Sequence, residues 1–170
     1  MCILTRDAIL KEIDAGAITI TPFDPGQVGP GSIDLRLSSE FRVLKKLRHA
    51  IPVEEDTDLS AISERIVAEE AFVLMPSETV LGMTLERIQL PPYLCGWIQG
   101  RSRFARIGLL VHMTASFVQP GINNRQVLEI SNLAPFPLLL KPGARLCQLI
   151  IERTEGTAQY KGKHKDQLSL

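Results

Sequence analysis

The chain has 170 residues, which fits one domain spanning residues 1–170, and its 45% hydrophobic and 22% charged residues are ordinary for a globular protein. Its 19 basic and 19 acidic residues cancel, whereas a protein that tracks nucleic-acid phosphates needs a basic surplus, so we expect no nucleic-acid partner. The three cysteines form no C-x-x-C pair, the N-terminus lacks a signal-peptide pattern, and no apolar run approaches the roughly 18 residues of a membrane span, which together predict a cytoplasmic protein with no membrane association.

The first predicted element is a short helix near the N-terminus. Thr5 is a suitable N-cap, and Asp7 suits the positive end of the helix dipole. Ile9 and Ile13 lie four residues apart and therefore share one face. Gly16 provides a C-terminal stop, so the helix is predicted between Thr5 and Gly16.

After this helix the pattern changes to short apolar runs separated by turns. Ile33, Leu35 and Leu37 alternate with polar residues, which indicates a strand that continues to Val43. Proline- and glycine-containing turns separate the further runs, which are Ala71–Leu74, Val80–Met83, Leu109–Met113, Val127–Ile130, Leu138–Leu140 and Leu146–Ile151. Many short strands with frequent turns predict a β-sandwich or barrel, and the polar run 52–65 is predicted to be a surface excursion.

One segment interrupts the strands with a helical pattern. The run from Gly100 to Arg106 lacks alternation and is followed by Gly108. As a helical turn it places Ser102 and Arg106 four residues apart, and a hydroxyl beside a guanidinium suits an anion such as phosphate. The alternative is a capped surface helix with a solvated arginine, and the pattern alone leaves both interpretations open.

Several motifs together carry a resemblance to a known family. They are GPGSIDLRLSSEF at 29–41, GRSRFARIGLLVHMTA at 100–115, VLEISN at 127–132, PGARLCQLIIER at 142–153 and YKGKHKDQ at 160–167. The chain resembles the dCTP deaminases of the trimeric dUTPase-like superfamily over about residues 5–167. The resemblance implies an all-β-dominated, distorted jelly-roll-like β-barrel of the dUTPase type with one or two short helices. It also implies a homotrimer with active sites at subunit interfaces.

The chemistry that this resemblance implies requires an activated water. Most nucleobase deaminases use zinc, held by an H-x-E and P-C-x-x-C signature that this sequence lacks. We therefore expect no zinc and no protein metal ligands, and assign the base to Glu129, which shares a strand face with Val127 and Ser131. A glutamate in an apolar strand is predicted to have a raised pKa, useful for moving protons near neutrality. The alternative is an edge-strand glutamate that faces water.

The resemblance implies further roles for individual residues. Ser102 would bind near the reacting water, and Arg106 would bind phosphate or the water network. The implied substrate-binding residues are Arg101, Arg103, Ala115, Gln119, Gln148, Tyr160, Lys163 and Gln167. The backbone of the loop 114–118 would contact the cytosine edge, while the C-terminal segment with Lys163 would fold over the triphosphate unless it is only a frayed basic tail. Mg²⁺ would be bound chiefly through the triphosphate.

The sequence departs from the family at the substrate hairpin. Gln119 stands where the family has an aspartate that receives the sugar 3′-hydroxyl and, in dUTPases, helps to activate water. An amide can accept a hydrogen bond but cannot act as a base. The hairpin Gly121–Arg125 also lacks the usual aromatic residue and second glycine, and Arg103 replaces a small hydroxyl residue.

These departures bear on the product and leave two alternatives beside a dCTP deaminase. Because Gln119 cannot serve as a base, we expect dUTP and ammonia as products, with little pyrophosphate. The first alternative is a dUTPase, or a bifunctional enzyme that also hydrolyses the triphosphate, with another carboxylate such as Asp34 or Asp166 in place of Gln119. The second is a non-catalytic nucleotide-binding protein on the same fold, against which the joint presence of Ser102, Arg106 and Glu129 argues.

Overall fold

The computed structural model describes residues 2–170, and β-strands dominate it. Its helices are α1 Arg6–Asp14, α2 Leu59–Ile62 and α3 Ser102–Ala105, with a 3-10 turn at Pro25–Gln27. Its strands are β1 Thr19–Thr21, β2 Ile33–Leu44, β3 Ser63–Val67, β4 Phe72–Leu74, β5 Thr79–Gln89, β6 Leu94–Gly100, β7 Leu109–Val111, β8 Phe117–Val118, β9 Asn123–Asn132, β10 Leu138–Leu140 and β11 Arg145–Arg153. The predicted β-dominated fold with short helices is confirmed. Within residues 2–170, no helix has the length and apolar character that crossing a membrane requires.

Antiparallel pairing joins most strands into one curled sheet. Its order is β7-β9-β5-β2-β11-β6-β8, with β1 added to β5 and β3 added to β2. The short strands β4 and β10 pair separately, with Val73 opposite Leu139. The central position of β2, β5 and β11 brings residues from the start, middle and end of the chain side by side.

Strand β2 shows why the predicted alternation forms this sheet. Ile33, Leu35 and Leu37 point into the core and are fully buried, as is Phe41 after a register shift. The intervening polar residues lie on the opposite face, where Asp34 is paired with Gln148 of β11. The alternation that buries one face therefore also places a carboxylate on the other.

Helix α1 forms where it was predicted. Thr5 occupies the N-cap position with an extended backbone, although its side chain makes no capping hydrogen bond. Ile9 is fully buried. Gly16 follows the helix with a φ of +71°, a left-handed conformation that glycine adopts without steric cost.

The structure differs from the sequence prediction at strands that are held by backbone pairing with a neighbour and that lack an apolar pattern. Only the first part of the predicted excursion is a loop, because α2 and the strand β3 occupy its second part. Strand β3 is largely exposed and is held by backbone pairing of Ser63–Val67 with the end of β2. Strand β9 likewise extends beyond the predicted run through the polar residues 123–126, of which 123–125 pair with β5 and the amide of Gln126 donates to the hydroxyl of Thr84. Strands β1, β6 and β8 were not predicted either.

Candidate active site

Two larger cavities and one smaller cavity hold most of the predicted site residues. We name them the Arg101 cavity, the Glu129 cavity and the hairpin cavity, with volumes of about 760, 660 and 280 Å³. His112 lines all three. The cavities therefore meet around the end of β7, where the chain turns into the loop 112–116.

The Arg101 cavity is lined by polar and cationic side chains at the junction of β2, β6 and β11. It contains four predicted residues, Arg101, Ser102, Arg103 and Gln148. Ser102 and Arg103 are exposed at the start of α3. Among its described lining residues, Asp34 is the one carboxylate. Guanidinium and hydroxyl donors around one cavity suit a phosphate-bearing ligand.

Ion pairing and hydrogen bonding fix Arg101 within this cavity. Its Nη2 lies 3.1 Å from Oδ2 of Asp34, and its Nη1 donates to the carbonyl of Arg145 at 3.0 Å. Both charged side chains are mostly buried, so solvent screens this pair less than a surface pair. On the same wall, the hydroxyl of Ser32 donates to Oε1 of Gln148 at 3.0 Å. These contacts hold the donors in place before any ligand binds.

A buried carboxylate supports this wall from behind. Glu86 is fully buried and accepts from Nε of Arg36 at 2.7 Å and from Nε2 of Gln27 at 2.8 Å. The same Nε2 of Gln27 also donates to the carbonyl of Asp34 at 2.8 Å. A buried charge is tolerated only when it is paired and hydrogen-bonded, as it is here. Glu86 thus fixes the backbone that carries Asp34.

The Glu129 cavity lies on the other side of His112 and includes residues from distant parts of the chain. Glu129 of β9 lines it together with Ala115 and with Lys163 and Gln167 from the C-terminal segment. The segment 56–60 before and within α2 also lines it. Four predicted residues are therefore brought together by the tertiary structure.

Thr114 binds the Glu129 carboxylate with two hydrogen bonds. The Thr114 hydroxyl donates to Oε1 at 2.5 Å, and the Thr114 amide donates to Oε2 at 3.0 Å. Leu128 and Ile130 are fully buried on the opposite face of the strand, which agrees with the predicted alternation. Each carboxylate oxygen retains a further acceptor site, so Glu129 can still bind a water or a ligand in the cavity.

The predicted raised pKa of Glu129 is wrong. Burial acts to raise the pKa of this carboxyl, but the hydrogen bonds from Thr114 and the positive charge that His112 can carry together lower it below the usual glutamate range. The prediction considered only the apolar strand and not the donors of the loop that folds over it. Glu129 is consequently ionised at neutral pH and able to accept a proton.

His112 holds the loop in this position. Its φ of +59° is left-handed, which turns the chain sharply after β7. Its backbone amide donates to the carbonyl of Glu129 at 2.7 Å, and its Nε2 lies 2.9 Å from the carbonyl of Ala115. Burial lowers the pKa of His112 despite the nearby Glu129, so the ring is neutral at neutral pH. The ring is buried, and its Nδ1 has no hydrogen-bond partner within the described residues.

The hairpin cavity contains the remaining predicted residues except one. Gln119 and Tyr160 line it, together with Ala115 and Gln167, which it shares with the Glu129 cavity. Gln119 is exposed and Tyr160 is half-buried. Arg106 is exposed after α3 and lines none of the three cavities.

Within one chain the predicted catalytic residues are divided between regions. Ser102 lines the Arg101 cavity, whereas Glu129 lines the Glu129 cavity, and Arg106 lies outside both. Sequence reasoning identified the loop 114–118 but missed the Thr114 side chain as a partner of Glu129. Thr114 lies 15 residues before Glu129, so no periodic pattern connects the two. Of all the signals in the sequence, only the general hydrogen-bonding capacity of a loop threonine pointed to it.

Comparisons with known proteins identify the family of this chain. The family model described as dCTP deaminase-like matches residues 3–154. The chain belongs to the dCTP deaminase-like family. A relative from Salinispora arenicola, named "dCTP deaminase, dUMP-forming", is 43% identical over 94% of this chain and 83% of the relative. Relatives of the same name from Acidothermus cellulolyticus and a Nocardioides species are 41% and 39% identical, over 94% and 98% of this chain and 84% and 91% of the relatives.

The fold of this chain is similar to that of a solved structure. The 2′-deoxycytidine 5′-triphosphate deaminase from Agrobacterium tumefaciens matches with a TM-score of 0.69 and 25% identity. The match covers 90% of this chain and 48% of the other, so the present chain spans about half the length of that protein. The fold class inferred from the sequence motifs is therefore confirmed.

Proposed function

We propose that this protein hydrolyses the 4-amino group of dCTP. The observation that carries the proposal is the ionised Glu129 carboxylate, oriented by two hydrogen bonds from Thr114 in a cavity that also contains Lys163 and Gln167. The family to which the chain belongs and the names of relatives about 40% identical support it.

Deamination needs one group that accepts a proton from water and then donates it to the leaving amino nitrogen. Glu129 takes a proton from water as the water oxygen bonds to C4 of cytosine. The protonated carboxyl then delivers that proton to the amino nitrogen, and the C4–N bond breaks as ammonia leaves. The second proton of the water moves from the C4 hydroxyl to N3, which gives a uracil nucleotide beside the ammonia, and Glu129 returns to its ionised form. Proton transfer by a positioned carboxylate contributes about 100-fold or more to rates of this kind.

The division of the predicted residues supports a site shared between copies of the chain. Ser102 and Glu129 line different cavities of one chain, so a homotrimer would bring Ser102 and Arg106 of one copy to the Glu129 cavity of another. In that arrangement Ser102 would stabilise the anionic intermediate, while Arg101, Arg103 and Arg106 would face the triphosphate. Ring-like closure is the usual outcome of such head-to-tail interfaces.

Magnesium would enter with the nucleotide. Mg²⁺ prefers oxygen ligands and keeps several waters, so phosphate oxygens with one carboxylate are a sufficient set. The sequence predicted no protein ligand for a metal, whereas in the structure Asp34 offers such a carboxylate in the Arg101 cavity. When bound, the ion would neutralise the phosphate charge. The protein's own contribution there is to position donors with the Asp34–Arg101 pair.

The test is an assay with dCTP and Mg²⁺ in which products are identified by chromatography and ammonia is measured. We expect one ammonia and one uracil nucleotide for each dCTP consumed. A protein that binds dCTP but releases no ammonia would contradict the proposal and leave a nucleotide-binding protein.

A second candidate function is a bifunctional enzyme that also releases pyrophosphate. The relatives' names include "dUMP-forming", and Asp34 lies beside Arg101 as a carboxylate near the expected phosphates. Gln119 argues for dUTP, because an amide cannot activate the attacking water. Phosphorus NMR of the same reaction distinguishes the two: dUTP accumulates if Gln119 decides the outcome, and pyrophosphate equals ammonia if the second candidate is correct.

A further inference from the structure

The C-terminal segment 158–168 runs along the hairpin 120–125 of its own chain. The amide of Tyr160 donates to the carbonyl of Pro120 at 2.9 Å, and the side chain of Asn124 donates to the carbonyl of His164 at 2.7 Å. The amide of Arg125 donates to the carbonyl of Gln167 at 2.9 Å. These contacts cover most of the segment, so the hairpin is its docking strip.

Arg125 makes the largest number of connections in this strip. Its Nη1 donates to Oε1 of Glu40 at 2.6 Å and to the carbonyl of Leu168 at 3.1 Å. Its Nε donates to the carbonyl of Thr84 at 2.7 Å. Both partners of the Arg125–Glu40 pair are 15% exposed, and Arg65 binds the other oxygen of Glu40 at 2.7 Å. The side chain thus ties the end of the segment to strands β2 and β5.

We propose that Arg125 is a positioning residue that docks the C-terminal segment over the Glu129 cavity before the nucleotide binds. The docked segment presents Lys163 and Gln167 in that cavity and Tyr160 in the hairpin cavity. A segment already ordered loses less conformational entropy when it closes on a ligand, so docking lowers the nucleotide concentration needed for half-saturation. The hairpin that departs from the family pattern thereby acquires a role of its own.

The docking itself can be tested without any assumption about activity. Proteases cleave backbone that can leave its folded contacts, so we expect trypsin to cleave after Lys161, Lys163 and Lys165 mainly when the segment leaves the strip. We expect Arg125→Gln to accelerate this cleavage at least about fivefold, since cleavage follows the population of the open form. Arg65→Gln is the matched control, because Arg65 shares Glu40 but does not contact the segment. Equal cleavage of both variants and the unaltered protein would overturn the proposal, whether or not the protein is a deaminase.

Folding of the variant is checked in the same samples. Glu40 keeps Arg65 as a partner when Arg125 is replaced, so no buried carboxylate is left unpaired. Melting temperatures of Arg125→Gln and Arg65→Gln should agree within a few degrees. If Arg125→Gln melts much earlier, hydrogen exchange below its melting range replaces proteolysis: faster exchange confined to amides 158–168 supports the proposal, and uniform acceleration overturns it.

The consequence for binding rests on the proposed function and has its own readout. We expect Arg125→Gln to raise the KM for dCTP about tenfold with kcat within about twofold, the pattern of weakened ground-state binding. In a double-mutant cycle with Lys163→Ala, the two effects on KM should be less than additive, because an undocked segment no longer presents Lys163. Additive effects would mean that Arg125 acts on the nucleotide directly, which contradicts positioning. Faster proteolysis without any deamination would refute the proposed function alone.

Discussion

The Arg101 cavity and the Glu129 cavity are built by different means. In the Arg101 cavity the donors sit on or beside sheet strands and are fixed by the Asp34–Arg101 pair and the buried Glu86 network. Among the predicted site residues of the Glu129 cavity only Glu129 lies on a strand, whereas a loop orients it and the C-terminal segment contributes to the lining. The donors of the first cavity are therefore held by ion pairs and the sheet, whereas the second cavity depends on how a loop and the C-terminal segment pack. Such a division suits a nucleotide, because fixed donors can hold its triphosphate while a loop and a terminal segment adjust around the reacting base.

The proposed function assigns proton transfer to the Glu129 cavity, and we expect the largest effect there. Glu129→Gln keeps the shape and removes the base, so ammonia release should fall at least about 100-fold while dCTP binding persists. Stopped assays for ammonia and calorimetry for binding measure the two quantities. Glu152→Gln is the control, as Glu152 is a half-buried strand glutamate that lines none of the three cavities. Near-normal turnover by Glu129→Gln would remove Glu129 from the mechanism.

The next test asks whether the two cavities act together across copies. Ser102→Ala and Glu129→Gln should each be nearly inactive, yet co-refolded at equal amounts they should recover about a quarter of the normal activity, because one interface in four then pairs intact residues. Light scattering should give about three times the chain mass of 18.8 kDa. Absence of recovery in mixed assemblies would show that each chain completes its own site.

A smaller effect is expected from the loop that orients Glu129. Thr114→Val removes the hydroxyl donor that helps to hold the pKa of Glu129 below its usual value, so that pKa rises. The ionised base is required, so the acid limb of the kcat/KM profile should move up by about one pH unit or less, with little change at neutral pH. Thr114→Ser keeps the donor and should keep the profile. An unmoved limb in Thr114→Val would show that Thr114 does not set the charge state of Glu129.

The smallest expected effect is that of zinc removal. A carboxylate-activated water needs no zinc, so a zinc-selective chelator with Mg²⁺ present should leave ammonia release unchanged. Activity that falls and returns with Zn²⁺, but not with Mg²⁺, would contradict a metal-independent base. The same measurement with Mg²⁺ omitted tests whether the triphosphate needs its cation.

The sequence alone determined those features that local periodicity controls. The alternation of β2, the amphipathic start of α1 and the buried face opposite Glu129 are all consequences of neighbouring residues, and all three are confirmed. The sequence motifs, through their resemblance to a known family, also predicted the fold class and the family. Strand β3 escaped prediction because its exposed residues are held by backbone pairing with β2, which leaves no apolar pattern in the sequence.

Only the tertiary structure decided how the site is divided, charged and covered. The pKa of Glu129 is lowered by a threonine on another loop, which reverses the direction that the apolar strand suggested. The Arg125–Glu40 pair joins residues 85 positions apart, and the segment that Arg125 contacts lines a cavity together with Glu129 of the same strand. Periodicity fixes which face a side chain takes, but which distant partner meets it depends on how the strands and loops pack, because electrostatic and hydrogen-bonding effects act across space rather than along the chain.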